Sequence, residues 1–436
     1  MPFTRNNNGS LFSSTGTGIH FEGLNGGSAV NLSVGGPGSA ANQFTNCTRG
    51  IAAMNNVATE IRFNVFNTIE FQGIQVHNPG PNPTVIQDNR IIEWGQGIVC
   101  NNMGESAIDI KRNRLDLFAL NSVSGMLNDG IVVSNQGSTG GATTDIQLNV
   151  IRFPQVGIRI AKRPGAYLRQ NVVVFDQDDA TILGNGFDFR GIEVTRSAAA
   201  ELRGNQCSRV TSSGPATQAM VGPLSGIRIA DSDGSTVRYN TLSGFGNGIE
   251  VIGQMSGAEL ECNFLRRCWT GVDFQNASIG DQGSPVAHNG NTFDAIVGPY
   301  RLTGSVNSPG IEWYHSNSAL TDPNPYNVVN FTDIGGVNAD VCGGGVGAKM
   351  GNGPQVEPST SLEISPNPSE GLVHITWNGF EAQAKVVVSD AFGKIVHSVT
   401  TNSPQIDLDL TNLRKGMYFI HLQDSRNPAV RKLVLN

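Results

Sequence analysis

Two short words alternate along most of this chain, and together they fix the kind of backbone it can form. One is Asn followed two residues later by an apolar side chain: Asn42, Asn64, Asn89, Asn113, Asn149, Asn171, Asn205, Asn240, Asn263 and Asn291. The other is Gly followed by apolar residues one and three positions on: Gly50, Gly73, Gly97, Gly130, Gly157, Gly191, Gly226, Gly248 and Gly271. Five Asn-to-Gly steps are 8 residues long and four Gly-to-Asn steps are 14, which gives a unit of 22 to 24 residues. Repetition at such a period marks a stacked architecture rather than a closed globule.

Within each unit the apolar residues alternate with polar ones, a period of two that belongs to strands. Examples are Ile158 and Ile160 after Gly157, Ile151 after Asn149, and Ile146 before it. Each unit therefore reads as three short strands with one apolar face, and no unit can bury that face alone. Stacking successive units about 4.8 Å apart places like residue over like around a shared core. The Asn then stands at a corner, where side-chain amides can hydrogen-bond from coil to coil. Gly is expected to supply backbone freedom for the next corner.

Composition agrees with a turn-dense β chain: 54 glycines and 15% charged residues in 436, without the Gly-X-Y period of collagen. A net charge of −7 argues against nucleic acid or an anionic membrane as a partner. No apolar run reaches the roughly 18 residues of a membrane span. The six cysteines form no CxxC or metal-type spacing. The opening Met1-Pro2-Phe3-Thr4-Arg5 does not read as a signal peptide, so a longer or processed N-terminus is expected.

The repeat resembles the right-handed parallel β-helix family of pectate-lyase-like solenoids, over about 270 residues. The resemblance implies an all-β solenoid over 1–290, with a cap over 291–334. It says little of function, because that fold hosts lyases, hydrolases, epimerases, adhesins and tail spikes. The family's catalytic words are absent: there is no Asn-Thr-Asp, His-Gly, Arg-Ile-Lys or Trp-x-x-Asp-His.

A Gly-, Asn- and Pro-rich linker over 335–360 precedes a different pattern over 361–436. Short alternating strands with turn signals about every ten residues read as a small antiparallel β-sandwich. Its words are Pro366-Asn367-Pro368, Asp390-Ala391-Phe392-Gly393-Lys394, Leu413-Arg414-Lys415-Gly416-Met417-Tyr418 and a terminal strand through Lys432. These resemble the type IX secretion (Por) C-terminal sorting domain of Bacteroidetes. Gly416, Tyr418 and Lys432 are the best-matching signal residues. The resemblance implies engagement of the type IX machinery and a secreted or outer-membrane-surface location.

Three Asn-to-Gly steps, 113 to 130, 171 to 191 and 205 to 226, exceed 8 residues by 9, 12 and 13, and all leave the coil at the same corner. Solenoid insertions often build a binding face. The middle insertion holds Asp176, Asp178 and Asp179, with Asp188 further on. These are weak candidates for Ca²⁺ ligation or acid/base chemistry on a sugar, against the simpler reading of a solvated polar loop.

Two residues before each Asn runs an outward column containing Arg62, Lys111, Arg169, Arg203 and Arg238. Arg169, Arg203 and Arg238 lie on consecutive coils and are the glycan-binding candidates. An anionic polymer would relieve their mutual repulsion, though Glu60, Asp109, Asp145, Glu201 and Glu259 on the same face could neutralise them internally. Arg159, Glu193, Arg228 and Glu250 alternate in sign after the Gly words, which suggests a salt-bridge ladder fixing register. Cys100 and Cys207 fall at core positions, and Cys262 and Cys268 flank one corner where they could pair. Trp313-Tyr314-His315 reads as a cap over the open end.

The expectation is a monomeric, secreted or cell-surface β-helix protein that binds or displays, with a polysaccharide or surface glycan as partner. No cofactor is expected, with Ca²⁺ at the insertion carboxylates as the one option. The alternative is a polysaccharide lyase or glycoside hydrolase acting on an acidic polysaccharide.

Overall fold

The computed structural model describes residues 11–13, 16–23, 30–35, 41–93, 95–117, 128–135, 142–152, 154–175, 188–209, 216–220, 224–294, 298–303, 311–315, 325–326, 331–337, 342, 363–365, 369–376, 384–390, 395–401, 405–423 and 429–436. The chain divides into two compact units, Met1–Gly351 and Asn352–Asn436.

The first unit is a parallel β-helix. Each coil contributes one strand to each of three parallel sheets. The Gly words form a sheet of 12 strands, from Thr17–Glu22 to Pro325–Tyr326. Residues after each Asn form a sheet of 11, from Leu11–Ser13 to Thr292–Asp294. Residues before each Asn form a sheet of 9, from Val30–Val34 to Glu259–Glu261. Register follows the repeat: Ile74, Ile98, Ile131, Ile158, Ile192, Ile227, Ile249 and Val272 are successive partners. All are fully buried, each contributing about 2–3 kcal/mol of hydrophobic stabilisation. Phe44 and Phe66 stack at 4.7 Å between ring centroids.

The ten repeat asparagines form one buried column. From Asn42 to Asn291, each Nδ2 donates to the Oδ1 of the next at 2.9–3.0 Å. From Asn89 onward each Nδ2 also donates to a carbonyl of the preceding coil, for example Asn205 to Leu168 O at 2.8 Å. From Asn89 to Asn291 each Oδ1 also accepts the backbone N–H of the preceding Asn, as Asn205 does from Asn171 at 3.0 Å. A buried amide is tolerated here because its donors and acceptor are all engaged.

The glycines have a different reason from the one expected. Gly97, Gly130, Gly157, Gly191 and Gly226 do not adopt positive φ. A Cβ at any of them would lie 2.3–2.7 Å from the carbonyl oxygen of the next coil's Gly. Close approach of backbones, not turn freedom, selects Gly there. The left-handed corner falls on the residue before each Asn instead: Phe63, Asp88, Arg112, Leu148, Gln170, Gly204, Tyr239 and Cys262, with φ between 53° and 64°.

The four free cysteines, Cys47, Cys100, Cys207 and Cys268, are buried. Burial pushes the Cys100 thiol up to about 12 and the Cys268 thiol to about 11, so both act as inert core fillers. Cys262 pairs with Cys342 rather than Cys268, because Cys268 points into the core while Cys262 sits on the outer corner, with Cα atoms of the pair 5.9 Å apart. Trp313 is fully buried and meets Phe274 edge-on at 6.4 Å, closing the core end as a cap.

One buried cation was not legible in the repeat. Arg163 is 1% exposed. Its guanidinium donates to Gly104 O at 2.6 Å, Ser106 O at 2.9 Å, Ala142 O at 3.2 Å and Thr144 Oγ1 at 2.9 Å. It thereby gathers three backbone carbonyls and a hydroxyl from two coils on one buried guanidinium.

The second unit is a small antiparallel sandwich. Glu363–Ser365, Leu372–Thr376 and Gln405–Asp409 form one sheet. Ala384–Asp390, Ile395–Thr401, Gly416–Gln423 and Ala429–Leu435 form the other. Val373, Ile375 and Leu408 face Val386, Val388, Ile420 and Leu433 in a shared core.

Candidate functional site

The sheet before the Asn column places its cations on an exposed face, and most are neutralised there. Arg62 pairs with Glu60 at 2.9 Å, and Lys111 with Asp109 at 3.0 Å and Asp145 at 3.2 Å. Arg238 is held by Glu259 at 3.4 Å and closely by Glu261. These are pairs within a strand or between adjacent coils, as the polar alternation of a strand allows.

Arg169 and Arg203 differ. They are register partners, and Arg203 is in turn the partner of Arg238. Arg169 reaches Asp145 only at 3.5 Å, and its guanidinium lies 5.0 Å from the centroid of the Tyr167 ring. Arg203 is exposed, stands 5.2 Å from the centroid of Tyr239, and has no ion-pair partner among the described residues. Glu201, two residues earlier on the same strand face, does not turn to it. The result is an exposed Tyr–Arg–Arg–Tyr surface on consecutive coils. The tyrosines were not singled out from sequence; their signal is an aromatic two residues before Arg169 and one immediately after Arg238.

The outward side of the Gly sheet carries a second polar system. Arg159 bridges Asp129 at 3.2 Å and Glu193 at 2.9 Å; Arg228 bridges Glu193 at 2.6 Å and Glu250 at 3.6 Å. The expected sign-alternating ladder is thus present. Its carboxylates are buried, Glu193 9% exposed and Glu250 3%, while the two arginines are half-buried. The residue before each Gly adds a column that the sequence reading passed over. In it Arg49 donates to Gln72 at 3.2 Å and Gln72 to Gln96 at 3.1 Å, and Asp129 stands at the same position of the next coil. Further along, Arg190 meets Glu250 at 3.7 Å, and Ser225 donates to Glu250 at 2.9 Å. Burial pushes the Asp129 carboxyl up to about 6; Arg159 opposes this and Glu193 adds to it.

Asp176, Asp178 and Asp179 lie outside the described residues, and with them the Ca²⁺ expectation. Asp188 is exposed and pairs with Arg190 at 2.9 Å. Among the described residues no group of three or more His, Cys, Asp or Glu is placed to hold a metal ion. No helix among them is long and apolar enough to cross a membrane.

In the second unit Gly416 opens a strand paired with the terminal one, Gly416 opposite Leu435 and Phe419 opposite Lys432. Tyr418 is buried, and its hydroxyl donates to Arg414 O at 2.7 Å, tying the preceding turn to the sandwich.

Residues 363–436 match the family model described as a secretion system C-terminal sorting domain. The sorting domain marks the chain for type IX export, so the protein is secreted to the cell surface or the extracellular space. No curated protein matches the chain. Among solved structures it is similar to a multi-modular, cell-surface-expressed chitinase from Paenibacillus sp. str. FPU-7, at 13% identity and a TM-score of 0.19, over 86% of this chain and 24% of that one. The chain thus spans about a quarter of that protein's length, and a superposition of that quality bears on neither fold nor chemistry.

Proposed function

We propose that the solenoid is a glycan-binding protein of the cell surface or extracellular space, and that the Tyr167, Arg169, Arg203 and Tyr239 surface is its binding face. The observation that carries this is Arg203, an exposed guanidinium set over an aromatic ring with no ion-pair partner among the described residues. Aromatic faces accept the C–H side of sugar rings, and guanidinium donors bind sugar oxygens. Placing these groups on consecutive coils gives an extended ligand a rigid, strand-spaced platform. Arg238, already engaged by two glutamates, borders the face. The test is retention of the full chain on immobilised plant, algal and bacterial glycans. The Arg169→Ala/Arg203→Ala double variant should lose retention on whichever glycan binds. Uniform failure of the wild-type chain to bind would refute the reading.

A second reading, hydrolysis or lysis of an acidic polysaccharide, is supported by Asp129. Its buried carboxyl titrates near 6 and shares Arg159 with Glu193, a pairing able to serve acid/base chemistry. Reducing-sugar release and absorbance at about 235 nm on uronans distinguish turnover from binding; an unsaturated product is the mark of elimination. Turnover that Asp129→Asn abolishes would favour it.

A further inference from the structure

We propose that the ligand carries an anionic sugar residue, read by Arg203 beside the corner where Gly204 carries no side chain. The inference rests on the glycan-binding reading above and narrows its substrate class.

Three observations converge. First, Arg62, Lys111 and Arg238 in the same column each have a carboxylate within 3.4 Å, and Arg169 has one at 3.5 Å. Arg203 has none among the described residues, although Glu201 shares its face. Its positive charge is therefore the one in that column left for an external anion.

Second, the Arg203 guanidinium carbon stands 5.2 Å over the Tyr239 ring, while its N–H donors make no hydrogen bond among the described residues. A guanidinium held over a ring loses less freedom on engaging two oxygens of a carboxylate or sulfate than a free side chain would.

Third, the corner beside Arg203 is empty of side chain. Neighbouring coils place Leu148, Gln170 and Tyr239 at this corner with φ of 59°, 53° and 58°. The backbone there accepts larger residues, so its φ does not by itself require glycine. Chain neighbours aside, a Cβ on Gly204 would meet only Gln170 Cγ, at 3.6 Å, an ordinary contact distance. This corner therefore carries no side chain of its own between Gln170 and Tyr239, which hold the same corner on the adjacent coils.

The test uses the full chain and hexasaccharides of three kinds: a uronic acid oligomer, the same oligomer with its carboxyls reduced to alcohols, and a sulfated neutral oligomer. Titration should show the reduced oligomer binding at least tenfold more weakly than the uronate. Arg203→Gln should erase that difference, Arg203→Lys should restore part of it, and Arg169→Gln should have the smaller effect. Gly204→Asn, a residue that tolerates the left-handed corner, should crowd the approach to Arg203 and weaken anion binding at least tenfold with the melting temperature unchanged. Preference between the uronate and the sulfated oligomer identifies the anion. Equal binding of the reduced and uronate oligomers, or an Arg203→Gln variant that still discriminates, would overturn the proposal while glycan binding stood. Failure of all three to bind would remove both.

Discussion

Asn171 Nδ2 donates to Asn205 Oδ1 at 3.0 Å across 34 residues of chain, the same distance that links Asn149 to Asn171 across 22. The long insertion between them leaves the column undisturbed, because register is held by side-chain amides and strand pairing rather than by loop length.

Asn205→Ala therefore tests the column directly. It removes the donor to Leu168 O and Asn240 Oδ1 and the acceptor for Asn171 N and Nδ2. With each orphaned buried group costing about 1–3 kcal/mol, urea unfolding should show a loss of about 3–5 kcal/mol. A loss under about 1 kcal/mol would mean that neighbouring amides repack.

Two glycines should respond to the same change by different amounts and for different reasons. At Gly191 a Cβ would stand 2.3 Å from Gly226 O, a backbone atom that cannot move aside, so Gly191→Ala should cost several kcal/mol, at least about 3. Gly234 has φ +66° and nothing within 4 Å of the added Cβ. Gly234→Ala should cost only the left-handed penalty, about 1–2 kcal/mol. Thermal melts of the two variants separate crowding from conformation.

Asp129 gives a pH dependence of unusual sign. Its folded carboxyl titrates near 6, above the unfolded value of 3.8, so the folded state binds the proton more tightly. Stability from this group is fully present below the unfolded value and falls as pH rises through about 6, by roughly 3 kcal/mol. Asp129→Asn should gain on the wild type across that window. Chemical unfolding of both at pH 4, 5, 6 and 7 measures it, and a pH-independent difference would refute the assignment.

Cys262–Cys342 closes a loop of 80 residues that contains the cap strands Ile311–Tyr314 and Phe331–Ile334. Loop-closure entropy for that length is about 4–5 kcal/mol. Reduction, or Cys262→Ser, should speed proteolysis and hydrogen exchange at Trp313 and Tyr314 while leaving the coils around Asn113 protected. Equal protection with and without reductant would show that the cap holds unaided.

How much was legible can be judged residue by residue. The Asn column, the ladder of Ile158, Ile192 and Ile227, and the alternation of Arg159, Glu193, Arg228 and Glu250 followed from spacing, because a stacked coil converts sequence period directly into spatial neighbourhood. The reason for the glycines did not follow. Gly191 looks the same in sequence whether it relieves a turn or a backbone approach, and only the carbonyl of Gly226 decides. The burial of Glu250 and the raised carboxyl of Asp129 were likewise invisible, since outward on a strand need not mean exposed.

The sequence by itself determined the coil, its period and its core, since a fixed repeat of apolar and amide residues has one stacking that satisfies every member. It also carried the export signal, a sorting domain over residues 363–436. Only the tertiary structure decided which cation is free. Arg62, Arg169, Arg203 and Arg238 occupy equivalent positions, and their pairing depends on where Glu60, Asp145, Tyr239 and Glu261 sit on the same or adjacent coils. Short-range electrostatics follow distances of a few ångströms that no spacing rule encodes.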